Sequence, residues 1–139
     1  MSLSQEDKEK LDQAASAVGI GKIRRHIFLC ADQTDPKCSS RDESLASWNY
    51  LKRRLAELGL TQGEQCVYRT KVNCLRVCRN GPIAVVYPEG VWYGNVQISD
   101  VAEIIASHIV GDCPVARLQL ADGCVNNPEC VHRAARQRS

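Results

Sequence analysis

Asn73-Cys74-Leu75-Arg76-Val77-Cys78-Arg79-Asn80-Gly81-Pro82 sets two thiols with three residues between them, directly ahead of a Gly-Pro turn and the apolar run Ile83-Ala84-Val85-Val86-Tyr87. Both thiols can face one small space. Outward from this stretch, a second pair, Cys30 and Cys38, flanks a polar loop that starts where the apolar run His26-Ile27-Phe28-Leu29 stops. Each pair falls at the C-terminal end of an expected strand or in a strand-to-strand connection, where a sheet holds loops side by side. Four thiolates are the set that an iron-sulfur cluster or a structural zinc requires.

Bulk properties narrow the class. A chain of 139 residues can bury one real core and is too short for two domains of ordinary size. Lys and Arg number 18 against 16 Asp and Glu, so a net charge of +2 argues against a general nucleic-acid or membrane surface. Eight cysteines demand either disulfides or a metal. The start, Met1 to Lys10, lacks the apolar stretch of a secretory signal, and no apolar run approaches the length of a membrane span. The expected location is therefore cytoplasmic, with thiols reduced and available as ligands.

Periodicity orders the elements. Residues 1 to about 22 form a charged helix with a thin stripe of Leu11, Ala14, Ala15 and Val18, stopped at Gly19-Ile20-Gly21 and expected to lie on the surface. A strand from Lys22 to Leu29 feeds Cys30. The turn-rich loop 31–37 ends at Cys38, after which Ser40 and Glu43 stand at capping-box spacing. The helix that follows turns Leu45, Trp48, Leu51, Leu55 and Leu58 to one face and stops at Gly59. A second strand, Cys66 to Val72, leads to Cys74. Residues 82–87 and 91–96 are two strands of a hairpin around Pro88-Glu89-Gly90. Asp100 is expected to cap a last helix with Val101, Ile104, Ile105, His108 and Ile109 inward, ended by Gly111. The resulting β-α-β-β-β-α order suggests a thioredoxin-like layered α/β fold over 23–118, with an added N-terminal helix (1–22) and an irregular, basic, Cys-containing tail (119–139) carrying Arg133, Arg136 and Arg138.

Spacing separates the metals. Two residues between thiols favour the knuckles of zinc ribbons, whereas three between Cys74 and Cys78 and seven between Cys30 and Cys38 make wide loops that suit a cluster broader than one ion. A zinc site or buried thiols remain the alternatives. The string from Cys74 to Tyr93, with its Gly81-Pro82 turn and Gly90-Val91-Trp92-Tyr93 hairpin, together with His26-Ile27-Phe28-Leu29-Cys30 and Pro36-Lys37-Cys38, resembles the thioredoxin-like [2Fe-2S] ferredoxins over about residues 24–118. That resemblance implies a soluble one-electron carrier, often a homodimer, working between a reductase and an acceptor. Matching positions make Cys30, Cys38, Cys74 and Cys78 the four ligands. Many relatives have Cys-Cys where this chain has Cys38-Ser39.

Between Glu64 and Glu89 there is no acidic residue, while Arg69, Lys71, Arg76 and Arg79 lie in that span. Positive charge near a cluster raises its potential and steers acidic partners, so Arg76 and Arg79 are expected in a docking patch. Backbone N–H groups from Arg79 to Gly81 and after Cys30 are expected to donate to cluster sulfurs. Cys66 and Cys113 are expected to pack as small hydrophobes, and Cys124, Cys130 and His132 make an incomplete tail site. His26 and His108 suit core or edge positions. Two other functions compete. A thiol-disulfide oxidoreductase typically uses Cys-x-x-Cys at a helix N-terminus, which this chain lacks, and a zinc-stabilised interaction module would be colourless.

Overall fold

The computed structural model describes residues 2–34, 40–77 and 79–124. The N-terminal helix α1 (Gln5–Ala17) is capped by Ser4, whose hydroxyl accepts the Asp7 N–H, and buries none of its residues. Gly19 breaks it at φ 77°, a left-handed conformation that glycine adopts at little cost. After a 3₁₀ turn come β1 (Ile23–Cys30), α2 (Arg41–Glu57), β2 (Cys66–Val72), β3 (Ala84–Tyr87), β4 (Val91–Tyr93), α3 (Ile98–Glu103) and β5 (Gln119–Cys124). They form one five-stranded sheet in the order β2-β1-β3-β4-β5. β1 and β2 are parallel, as a crossover through α2 permits, and the other pairs are antiparallel.

Alternation along β1 decides the layers. Ile27 and Leu29 face the helices, and register puts Val86 and Ala84 of β3, then Val91 and Tyr93 of β4, on the same face. Trp48, Leu51 and Leu55 of α2 and Val101, Ile104, Ile105 and Ile109 complete that core. The opposite sheet face is aromatic: His26 stacks on Phe28 with ring centroids 4.1 Å apart, and Tyr68 and Tyr87 meet these rings edge-on.

Four expectations need correction. Leu58, expected inward, is exposed, because the helix ends at Glu57 and Gly59 turns away at φ 69°. Asp100 is not the N-cap of the last helix; Gln97 is, and the Asp100 carboxylate accepts the Gln97 N–H at 3.0 Å. Beyond Glu103 the helix widens into a π-helix, Ile104–Val110. Residues 119–124, expected irregular, form edge strand β5 on β4. The fourth concerns Cys113, which is exposed rather than packed; Cys66 is buried as expected. Cys130, His132 and the rest of the tail beyond 124 lie outside the described residues.

One buried polar chain had no sequence signature. Arg25 shares the helix-facing side of β1 and is 7 % exposed, so its charge needs partners there. Its Nε donates to Glu89 Oε1 at 2.9 Å and its Nη1 to Asp112 Oδ1 at 2.6 Å and the Ile109 carbonyl at 3.0 Å. Glu89 also meets His108 Nε2 at 2.7 Å, and His108 Nδ1 lies 2.7 Å from the Tyr93 hydroxyl, which accepts the Val115 N–H at 3.1 Å. The hydroxyl therefore donates to Nδ1, leaving Nε2–H to donate to Glu89.

Candidate metal centre

Because β1 and β2 run parallel, their C-terminal ends emerge at the same edge of the sheet. Cys30, the last residue of β1, pairs with Val72, the last of β2, and Cys74 follows two residues later. The Ala31 N–H donates to the Val72 carbonyl at 3.0 Å, extending the pairing one step past the strand. Beyond it the loops are joined reciprocally: the Thr34 N–H donates to Asn73 Oδ1, and Asn73 Nδ2 donates to Thr34 Oγ1, both at 2.9 Å. Lys71 Nζ reaches Asp32 Oδ2 at 3.2 Å across the same gap. The segment that leads to Cys38 and the segment that holds Cys74 are thus neighbours.

A third segment closes on Cys30 from the other side. Its N–H donates to the Ile83 carbonyl at 3.0 Å, and the Ile83 N–H returns to Cys30 Sγ at 3.1 Å. The turn before it is clamped to the 95–96 loop, where the Asn95 N–H donates to the Asn80 carbonyl at 2.7 Å and the Val96 N–H to the Pro82 carbonyl at 2.9 Å. Arg76 adopts φ 71°, unusual for a residue with a Cβ, and its N–H donates to Cys74 Sγ at 3.1 Å. Ile83 and Arg76 thus each supply a backbone donor to a cysteine sulfur.

Cys30 is 1 % exposed whereas Cys74 is exposed, so the two sulfurs span from interior to surface. Soft thiolate ligands select iron-sulfur clusters, zinc or copper(I). Cys30 and Cys74 are donors of the kind an iron-sulfur cluster uses, and no group of three or more His, Cys, Asp or Glu gathers among the described residues. Cys38 and Cys78 lie outside the described residues, as do their contacts.

The basic residues divide. Arg69, Arg76 and Arg79 are exposed and form no ion pair among the described residues. Lys71 is held by Asp32, an acidic residue supplied from the other loop and so invisible to a count along 64–89.

Comparison with known proteins defines the class. No protein-family model matches the chain. It is similar to a curated "Ferredoxin, 2Fe-2S" of Clostridium pasteurianum, 39% identical over 98 residues that span 70% of this chain and 96% of the relative. A second "Ferredoxin, 2Fe-2S", of Aquifex aeolicus (strain VF5), is 32% identical over 104 residues, 71% of this chain and 91% of the relative. The solved structure of a thioredoxin-like [2Fe-2S] ferredoxin from Aquifex aeolicus superposes with a TM-score of 0.57 at 29% identity, covering 76% of this chain and 96% of that one. A mixed sheet with paired thiol loops at one edge, in a chain this similar, is that of an electron-transfer protein. The chain belongs to the thioredoxin-like [2Fe-2S] ferredoxins.

Proposed function

We propose that Cys30, Cys38, Cys74 and Cys78 hold a [2Fe-2S] cluster and that the protein is a one-electron carrier between a reductase and an acceptor, with no catalysed reaction of its own. Bound there, the cluster supplies a one-electron redox couple. The observation that carries this reading is the Thr34–Asn73 pair, which ties the loop leading to Cys38 to the residue before Cys74. The protein's own groups do the rest. The Ile83 and Arg76 N–H groups donate to sulfur and favour added negative charge. Burial of Cys30 keeps water from the inner side, and exposure of Cys74 leaves a short path for an electron to a docked partner.

Residues 23–124 make up the ferredoxin domain in this reading, with α1 as an appended helix. The family expectation of a homodimer is supported by the aromatic sheet face, since rings of this kind suit a second protein surface. A cytoplasmic location agrees with reduced cysteines, and no helix among the described residues is long and apolar enough to cross a membrane. Light scattering of the purified protein measures the dimer directly.

The test of the carrier reading is anaerobic purification. The protein should be reddish-brown, with iron and acid-labile sulfide in equal amounts. Replacing any one of the four proposed ligands by Ala should lower bound iron about tenfold or more, while Cys66→Ala and Cys113→Ala leave it unchanged. A colourless protein containing zinc would return the interaction-module reading.

A further inference from the structure

We propose that a groove beside the cysteine loop receives an apolar side chain flanked by carboxylates from an acidic redox partner; this rests on the carrier reading above. The groove, about 530 Å³, lies between the 77–80 loop and the start of β5. Val77, Ile83, Leu118 and Leu120 supply apolar lining, and Arg79 and Gln119 stand among them. Val77 sits between the two cysteines of its loop and is 40% exposed, an apolar side chain left in water one residue from a proposed ligand. The lining is closely fitted on one side, since a Cβ on Gly94 would come within 2.8 Å of Leu120 Cδ2.

Its charge selects the occupant. Among the described residues no carboxylate lines the groove. Arg117, at one end, is already engaged by Asp100 at 2.9 Å and by Glu103. Arg79 has no ion pair among the described residues and keeps its charge for an outside group. Gln119 Nε2 is buried without an acceptor among the described residues. A partner bringing carboxylates pairs with Arg79, and apolar walls add burial that a purely ionic partner would not use. A basic partner would meet the charge of Arg79, and a wholly polar one would leave the leucines wet.

The experiment uses the full-length protein with its cluster, reduced and then oxidised by hexacyanoferrate(III) in a stopped-flow instrument. Each hexacyanoferrate(III) takes one electron from the reduced protein and becomes hexacyanoferrate(II). A peptide seated in the groove places carboxylates beside the loop and repels this anion, so it slows the return of the oxidised protein's colour. Two amidated peptides of equal charge serve as probes, acetyl-Glu-Asp-Leu-Asp-Glu and the same with Ser replacing Leu. The leucine peptide should halve the rate at a concentration about tenfold lower, the effect of burying much of one leucine. Leu120→Ser should close most of that gap. Gln119→Glu, nearly isosteric, should weaken both peptides and provides a second check should Leu120→Ser disturb β5. Equal potency of the two peptides on a coloured wild-type protein overturns this inference alone, whereas a colourless protein overturns the carrier reading and this inference with it. A dimer that disperses on Leu120→Ser, with no response to either peptide, would assign the groove to a second copy and also overturn it.

Discussion

Asn73 does what no cysteine can do: it holds two loops together. Its carboxamide accepts from the Thr34 N–H and donates to Thr34 Oγ1, each at 2.9 Å, at exposed positions where a hydrogen bond contributes about 0.5–1.5 kcal/mol. Asn73→Ala should therefore cost about 1–2 kcal/mol of loop order, which appears as roughly five- to thirtyfold faster release of iron to a chelator with the far-ultraviolet dichroism unchanged. Thr34→Val removes one of the two bonds and should give about half that effect in free energy. Identical release rates for all three proteins would sink the idea. The proposed docking role of Arg76 rests on the charge of its side chain. Its exposed guanidinium has no ion pair among the described residues, so Arg76→Glu should slow reduction of an anionic acceptor at low salt, with the difference fading as ionic strength rises. Rates equal to wild type at low salt would remove Arg76 from the docking patch.

The last helix shows how an element ends by contact. Gly111 lies at φ −90°, where any residue is comfortable, yet a Cβ there would come within 2.7 Å of the Ser107 carbonyl oxygen and 3.0 Å of that of Ala106. Gly111→Ala should thus cost about 1–3 kcal/mol and lower the thermal midpoint, while Gly21→Ala, with nothing within 4 Å of its added Cβ, should not. Equal midpoints would mean that the turn relaxes freely. Most elements were legible because their signals are local. Ser40 caps α2 through the Glu43 N–H at 3.1 Å, and β2 runs over Cys66–Val72, both as their residues predict. β5 was not legible. Gln119-Leu120-Ala121-Asp122-Gly123-Cys124 contains no β-branched or aromatic residue, and it is a strand because the β4 backbone offers a ladder.

Across the molecule, the cysteine edge of the sheet and the Arg25–Glu89–His108–Tyr93 chain serve different ends. Burial holds His108 below the usual histidine range, outweighing the pull of Glu89 toward the charged form. Burial likewise pushes the Tyr93 hydroxyl up to about 12, so it stays a donor. Burial alone would raise the Glu89 carboxyl, but its hydrogen bonds from Arg25 and His108 hold it below its ordinary value. The lowered His108 value fixes a sign. Between that value and the unfolded histidine near 6.5, the unfolded chain binds more protons than the native one, so stability rises with pH through that window and falls on acidification. The lowered Glu89 value acts in the same direction further down, below the ordinary carboxylate range. Thermal midpoints at pH 7.5 and 5.5 should fall for the wild type more than for His108→Gln; parallel falls would show that His108 does not carry the dependence.

What the chain's order of residues settles here is short in range: the thiol spacing and Gly-Pro turn that mark the family, the caps, and the apolar periods that make strands and helices. These depend on atoms a few bonds apart, so they can be read without coordinates. The pairings between segments came only with folding. Arg25 meets Glu89 across 64 positions, Thr34 meets Asn73 across 39, and Ile83 backs Cys30 across 53. Such contacts belong to the parallel register of β1 and β2 and the antiparallel return of β3, which bring together groups whose energy depends on distance through space rather than along the backbone.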